Sequence, residues 1–270
     1  MKTTKPMLAS FAVSALTIAG GYGAASVVNY WDFEGGYTDK AGTAHGTAGA
    51  NVSTTAGHTG SPTAAVFPAS QAGGFTSASY VDLPAGNVHN SGSDAFSMSF
   101  WFNISNATTN RGILDFSGNG GEGPQSLYLS ATNTLAFRVD GAGGGGAALY
   151  DSTASPLDDG NWHFVAATYD PVTGIEVHID GYGVDASAGG FGAVNWNTDQ
   201  YLGAFNVFGT TADRGLGGSL DDVAIYSGIL SEAQITGLAS GALTPLEVPE
   251  PSGTVLLGLA GMTFMLRRRR

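Results

Sequence analysis

The chain contains 270 residues, of which 22 are Asp or Glu, 10 are Lys or Arg and none is Cys. Six of the basic residues lie within the first five and last four positions, so the region between sets four basic residues against 22 acidic ones, a net charge of −18. Such a surface repels phosphate backbones and excludes a nucleic-acid partner. The lack of cysteine excludes a disulfide framework.

The first 25 residues have the organisation of a secretory signal peptide. A basic start precedes the apolar residues 7–19, and Gly23 and Ala25 occupy the −3 and −1 positions of a cut before Ser26. The alternative is a first core helix, but glycines follow the apolar run where such a helix would continue. The sequence therefore predicts an exported protein with an N-terminal signal helix.

The region from 26 to 243 consists of short segments in which apolar and polar side chains alternate, as in half-buried strands. In one of them four apolar side chains share a face, and Trp101 lies on the other. The predicted strands are residues 27–34, 80–83, 95–103, 111–116, 125–129, 134–139, 162–169, 175–179, 200–203 and 219–226.

The connections between these strands carry turn chemistry. Asp180-Gly181 suits the positive φ angles of a two-residue hairpin, and the glycine run 141–146 predicts a flexible loop. One short helix is predicted over 231–238, where Ser231 and Gln234 form a capping box. Many strands without alternating helices predict an all-β, antiparallel two-sheet sandwich.

The end of the chain has a distinct pattern that follows a predicted linker at 244–248. An apolar stretch over 252–266 makes a helix of about 22 Å, shorter than the roughly 30 Å hydrocarbon core. It predicts a short transmembrane helix whose arginine end faces the cytoplasm. The flanking motif residues are Pro249, Glu250 and Pro251 before the helix, and Arg267, Arg268, Arg269 and Arg270 after it.

This order resembles the PEP-CTERM sorting signal of Gram-negative bacteria, over residues 249–270. The resemblance implies an exosortase-type processing enzyme as partner and contact with the membrane through the C-terminal helix before processing. It also implies a final location at the cell surface or in the extracellular matrix, in an exopolysaccharide setting. The alternative is a plain tail anchor.

Motifs in the central region resemble the laminin-G-like domains of the concanavalin A-like lectin/glucanase superfamily. The motifs, in chain order, are Tyr30-Trp31-Asp32-Phe33-Glu34, Val81-Asp82-Leu83-Pro84, Gly160-Asn161-Trp162-His163, Val177-His178-Ile179-Asp180-Gly181 and the closing strand and helix over 217–235. The resemblance implies a jelly-roll sandwich over 26–243.

The same resemblance implies a structural calcium ion near the first and last strands. Glu34, Asp39 and Asp221 match the acidic positions, and Asp222 is expected on the other face of its strand. Carboxylate and carbonyl oxygens are the ligands that calcium prefers. The alternative is that these residues are solvated edge acids or turn caps.

The sequence lacks the paired-carboxylate motifs that the glucanases of this sandwich carry on one strand, and we therefore expect a protein that is not an enzyme. His163 is expected to pack within its strand. The candidates for contacting a sugar ring are Trp101 and Tyr169, which are expected to face outward from their strands, and Trp196, which is expected in a loop.

The sequence thus favours an exported, non-catalytic surface or extracellular module that binds carbohydrate, such as exopolysaccharide, or another matrix component. Two alternatives stay open. One is a divergent glycoside hydrolase of the same fold, and the other is a structural surface protein without a specific ligand.

Overall fold

The computed structural model describes residues 25–248, except 59, 70–74, 77–78, 85–87, 89–94, 117–123, 142–143, 190, 193, 195–199 and 209–210. Residues 1–24 of the predicted signal peptide, the sorting signal at 249–270 and Trp196 therefore lie outside the described residues. Within the described part of the chain, no helix has the length and apolar character needed to cross a membrane.

The described residues form two antiparallel sheets, which confirms the predicted sandwich. The strands are β1 Ser26–Trp31, β2 Thr47–Ala48, β3 Ser53–Thr55, β4 Ala64–Ala69, β5 Phe75–Thr76, β6 Val81–Leu83, β7 Phe96–Ser105, β8 Arg111–Asp115, β9 Pro124–Leu129, β10 Thr134–Gly141, β11 Gly144–Asp151, β12 Asp159–Asp170, β13 Gly174–Ile179, β14 Tyr182–Ala188, β15 Gln200–Leu202, β16 Ala204–Phe208 and β17 Thr211–Ser227.

The larger sheet has the order β14-β13-β12-β7-β17-β4-β3, and β1, β5 and β16 also pair with β17. The smaller sheet has the order β11-β10-β9-β8-β15-β6-β2. The β13–β14 hairpin turns at Asp180 and Gly181, whose φ angles of 51° and 87° confirm the positive values expected there.

The main core lies between the two sheets. The alternating face of β7 supplies Phe96, Met98, Phe100 and Phe102 to it, and Phe137 faces them from the smaller sheet. Burial of large aromatic side chains at this density provides the main driving force for folding.

The outer face of the larger sheet carries a second apolar cluster. Helix α1, Glu232–Ala239, begins with the predicted capping box between Ser231 and Gln234 and lays Ile235 and Leu238 on this face. The predicted linker at 244–248 also packs here, since it contains a 3₁₀ turn at Pro245–Glu247 and a buried Val248. These residues are therefore part of the folded domain and not a free linker.

Two glycines with positive φ angles allow a matched stability test. A Cβ on Gly203, with φ of 79°, would lie 2.0 Å from the Phe67 ring, whereas a Cβ on Gly241, with φ of 70°, would meet nothing within 4 Å. We expect Gly241→Ala to lower the free energy of unfolding by about 1–2 kcal/mol, from backbone strain alone. Gly203→Ala should cost about 3 kcal/mol or more, because Phe67 must also move. Urea unfolding measures both, and equal losses would contradict the contact.

Candidate functional site

A bulge in β17 brings two neighbouring carboxylates to the outer face of the larger sheet. The pairing of β17 with β7 shifts register between Asp221 and Ala224, and Asp222 has a φ of 48°. Asp221 lies opposite Trp101, and both acids approach the His58 ring. The expectation that Asp222 points to the opposite face is wrong, because an extra residue in one strand interrupts side-chain alternation.

The loop containing residues 57–63 is fastened to this face at both ends. Asp221 Oδ2 accepts hydrogen bonds from the His58 backbone N–H at 3.0 Å and from His58 Nδ1 at 2.9 Å. Glu34 accepts hydrogen bonds from Ser61 Oγ at 3.0 Å and from the backbone N–H and Oγ1 of Thr63 at 2.9 and 2.7 Å. The two acids therefore act as clamps that hold the loop over the sheet.

The clamped loop also orients an aromatic pair. The His58 ring stacks on Trp101 with centroids 4.5 Å apart and planes 10° apart, and the Phe164 ring meets Trp101 edge-on at 5.4 Å. Trp101 is half-buried on the outer face, as its alternation predicts.

A cleft of about 280 Å³ opens between this loop and the segment that follows helix α1. Tyr30, Trp101 and Phe164 line it from the sheet, residues 58 and 60–62 from the loop, and Leu238, Gly241 and residues 243–245 from the opposite side. Its acidic lining residues are Asp32, Glu34 and Asp222. The cleft thus combines aromatic surface with carboxylates.

Burial and charge perturb the acid at the base of the cleft. Burial raises the pKa of Asp222 to about 6, with the neighbouring carboxylates Asp221 and Asp32 adding to the rise, while the hydrogen bond from Tyr30 and the nearby His58 oppose it. The Tyr30 hydroxyl donates to Asp222 Oδ1, and burial together with this carboxylate raises the Tyr30 pKa. Tyr30 therefore remains a protonated donor that orients Asp222.

The three acids expected to bind calcium have different surroundings. Glu34 and Asp221 contact the same loop, but Asp39 does not share it. Asp39 is 4% exposed, and its two oxygens accept five N–H groups, from the Asn29 side chain and from the backbone of residues 30, 41, 42 and 44. These hydrogen bonds occupy the carboxylate and stabilise the turn. Asp39 therefore has the role of a turn cap, the alternative to calcium binding. Glu34 and Asp221 also accept hydrogen bonds from the 57–63 loop, and the group of described residues whose ligand atoms lie within 4.8 Å of one another is His58, Asp221 and Asp222.

Of the aromatic candidates, only Trp101 lines the cleft among the described residues. Tyr169 does not face outward as expected. It shares its face with Val165 and Ala167 in the core between the sheets, it is fully buried, and its hydroxyl donates to the Gly192 carbonyl at 2.7 Å. It is not available to a ligand from solvent.

Several lining residues gave no usable signal in the sequence. His58 lies in a segment of Ala, Gly, Ser and Thr without periodicity, and Tyr30 and Phe164 read as ordinary strand residues. The capping box at Ser231 could locate helix α1 but not the face that it covers.

A second histidine, His163 on β12, pairs with one acid at the start of β12 and one in the turn of the β13–β14 hairpin. His163 Nδ1 lies 3.1 Å from Asp180 Oδ2, and Nε2 lies 3.3 Å from Asp159 Oδ1. The hydrogen bond to Asp180 raises the pKa of His163, with smaller contributions from the charges of both acids, and burial opposes the rise. His163 therefore ties the hairpin to the start of β12 as well as packing against Phe102.

This pairing predicts a pH-dependent contribution to stability. Because the folded pKa is raised, the contribution is complete below the unfolded value of about 6.5 and is lost as pH rises through the folded value. The difference in unfolding free energy between the natural chain and His163→Gln should therefore shrink between pH 5 and 9, as followed by urea unfolding. In the background of Asp180→Asn, which suits the positive φ of that turn, the effect of His163→Gln on the unfolding free energy should depend less on pH. A pH-independent difference would contradict the pairing.

Calcium binding stays a prediction that thermal unfolding can test. If Glu34 and Asp221 hold the ion, calcium at a hundredfold excess over its Kd should stabilise the fold by about 2.7 kcal/mol, which raises Tm by about 5–10 °C relative to chelator. Asp221→Asn should remove this difference. Asp39→Asn should lower Tm equally in calcium and in chelator, since its oxygens serve backbone donors. Identical Tm values of the natural chain in both buffers would contradict the hypothesis.

Comparison with solved structures shows the same sandwich in other proteins. Domain 4 of AbnA, a GH43 extracellular arabinanase from Geobacillus stearothermophilus solved with arabinotriose, superposes with a TM-score of 0.53 and 21% identity, over 80% of this chain and 99% of that one. The binding domain of Paraclostridial mosquitocidal protein 1 gives a TM-score of 0.64 at 14% identity, over 80% of this chain and 52% of that one.

The ligand-binding domain of botulinum neurotoxin serotype D, solved with N-acetylneuraminic acid, gives a TM-score of 0.62 at 16% identity, over 80% of this chain and 51% of that one. The chain thus spans about half the length of the two toxin domains, and at these identities the likeness shows the fold alone. No curated protein sequence matches the chain.

A family model covers more than half of the chain, at residues 75–236, and its range includes β7, β12, the bulged strand β17 and the start of helix α1. The order of strands and the closing helix agree with the motifs found in the sequence. The chain belongs to the laminin G-like family of the concanavalin A-like lectin/glucanases superfamily.

Proposed function

We propose that this protein is an exported, non-catalytic module that binds carbohydrate in the cleft on the outer face of the larger sheet. The observation that carries the proposal is Trp101 lying beside the carboxylates of Asp32 and Asp222 in an open cleft of about 280 Å³. Small-ligand sites combine apolar walls with a few placed polar groups and occupy about 300–1,000 Å³, so this cleft lies just below the lower limit of that range and suits a small ligand.

The chemistry of the lining suits a sugar. An aromatic ring packs against the apolar face of a pyranose, and carboxylate oxygens accept hydrogen bonds from its hydroxyls. Asp222 Oδ2 lies 3.7 Å from His58 Nε2, too far for a hydrogen bond, so this oxygen retains capacity to accept one from a ligand.

Export and sorting complete the proposal. The signal peptide over residues 1–25 would direct the chain out of the cytoplasm, and the sorting signal at 249–270 would be processed by an exosortase-type enzyme at the membrane. The folded domain extends to Val248, which is buried on the outer face, so the signal would follow it directly. The mature protein would then reside at the cell surface or in the extracellular matrix.

A divergent glycoside hydrolase is the rival function. The missing paired-carboxylate motif argues against it. A purely structural surface protein is the second rival, and the open cleft argues against it.

Glycan-array binding by the purified chain tests the proposal. Trp101→Ala should weaken binding to any captured glycan by about tenfold or more, and Trp101→Phe should retain part of it, because the smaller ring keeps some stacking surface. Tyr182→Ala is the matched control, since Tyr182 is 76% exposed on β14, and it should leave binding unchanged.

Three outcomes would contradict the proposal. Release of sugar from a bound glycan would favour the hydrolase, and silence across a broad array would favour the structural role. Unchanged binding by a folded Trp101→Ala variant would place the site elsewhere.

A further inference from the structure

The charges that line the cleft are unbalanced. Asp32, Glu34 and Asp222 contribute three carboxylates, with Asp221 directly behind the loop, whereas no Lys or Arg is among the described residues that line the cleft. Lys40, outside the lining, pairs with Asp32 Oδ2 at 3.3 Å, and His58 Nε2 in the lining lies 3.7 Å from Asp222 Oδ2. The cleft therefore presents an excess of negative charge to whatever enters it.

These carboxylates are not equally available to a ligand. Glu34 already accepts three hydrogen bonds from the 57–63 loop. Asp222 keeps Oδ2 without a hydrogen bond to His58, and its side chain is 20% exposed. Asp32 Oδ1 accepts the Glu34 backbone N–H at 3.0 Å, whereas Oδ2 pairs with Lys40, whose side chain is 34% exposed, so that ion pair is weak and Oδ2 can turn to a ligand. Asp32 and Asp222 are therefore the two acids that can meet a positive charge.

The aromatic walls argue for an organic cation over a bare metal ion. A hard metal ion requires six to eight oxygen ligands, and Tyr30, Trp101 and Phe164 supply mainly ring surface to this cleft. An ammonium group, in contrast, gains from both carboxylates and aromatic rings, and the apolar body to which it is attached packs on the rings. The volume of about 280 Å³ also exceeds what a single ion needs.

We propose that the sugar bound in this cleft carries an unacetylated, positively charged amino group, as in an oligosaccharide of glucosamine units. This inference rests on the proposed function and specifies its ligand class. A neutral sugar would bring no positive charge to offset the excess negative charge of the cleft, and an acidic sugar would be repelled by it. The ammonium group lies between Asp32 and Asp222, and the ring packs against Trp101.

Two oligosaccharides that differ only in the charge test the inference. Calorimetry at pH 7 in the presence of EDTA compares a glucosamine tetramer with its N-acetylated counterpart of the same linkage and length. We expect the free amine to bind about tenfold more tightly or better, because charge-assisted hydrogen bonds to carboxylates are lost on acetylation.

Isosteric variants locate the effect. Asp222→Asn should weaken binding of the glucosamine tetramer by about tenfold and that of the acetylated tetramer by clearly less, because the amide oxygen of Asn still accepts a hydrogen bond from a sugar hydroxyl. Asn also suits the positive φ at this position. Asp32→Asn is a second variant with the same expected direction. Glu176→Gln removes the same charge from an exposed position on β13 and should leave both affinities unchanged.

The outcomes separate this inference from the proposed function. Equal or tighter binding of the acetylated tetramer would overturn the charge preference while leaving carbohydrate binding intact. If Glu176→Gln and Asp222→Asn weakened binding of the glucosamine tetramer equally, the preference would reflect general attraction between a polycation and an acidic protein. That result would overturn the specific pairing in the cleft. Binding that appears only when calcium replaces EDTA would overturn direct pairing between the ammonium group and the carboxylates. If no glycan bound at all, the proposed function itself would be wrong.

Discussion

The bulge in β17 is the constraint on which the outer face depends. Without the extra residue, Asp221 and Asp222 would point to opposite faces, and one carboxylate would be forced into the apolar core between the sheets. The positive φ at Asp222 places both acids on the side of Trp101 and lets Asp221 fasten the loop that carries His58. A local departure from strand geometry thus creates the acidic wall and the loop that encloses it.

The cleft exists because the outer face is only partly covered. Helix α1 and the segment ending at Val248 bury Tyr226 and Ala224 on one side, and the clamped loop covers the other. Trp101 lies between the two covers and remains half-buried. An aromatic ring in that position is supported by Phe164 and His58 and is held in a fixed orientation, which lowers the entropic cost of ligand contact.

Strand alternation predicted the central strands because their apolar faces contact the opposite sheet. Strand β7 and the β12–β13 hairpin belong to this class. Strands β2 and β3 have two and three residues, all of them Ala, Ser or Thr, so their pairing depends on backbone hydrogen bonds that leave no side-chain pattern. The same reason explains why the glycine run at 144–146 forms part of β11, where a flexible loop was expected.

The predicted orientation was wrong for Tyr169 and right for Trp101, and both results have the same physical reason. Both faces of β12 are buried, one by the smaller sheet and the other by the outer cluster around Phe164, so hydrophobicity alone does not tell which face is the core. On β7, serines alternate with the aromatic residues and identify the outer side, which made the orientation of Trp101 predictable. The position of His58 could not be predicted, since it depends on Asp221, 163 residues away in sequence.

Some acidic residues of this chain stabilise the fold and others are available to a ligand. The hydrogen bonds that each carboxylate accepts distinguish the two groups. Asp39, Glu34 and Asp221 point at backbone N–H groups of loops that would otherwise lack acceptors, so their charges are compensated within the domain. Asp32 accepts one backbone N–H and pairs with an exposed lysine, and Asp222 accepts a tyrosine hydroxyl. Among the described residues, Asp39, Glu34 and Asp221 thus hold loops in place, whereas Asp32 and Asp222 line the cleft with an oxygen that a ligand can reach.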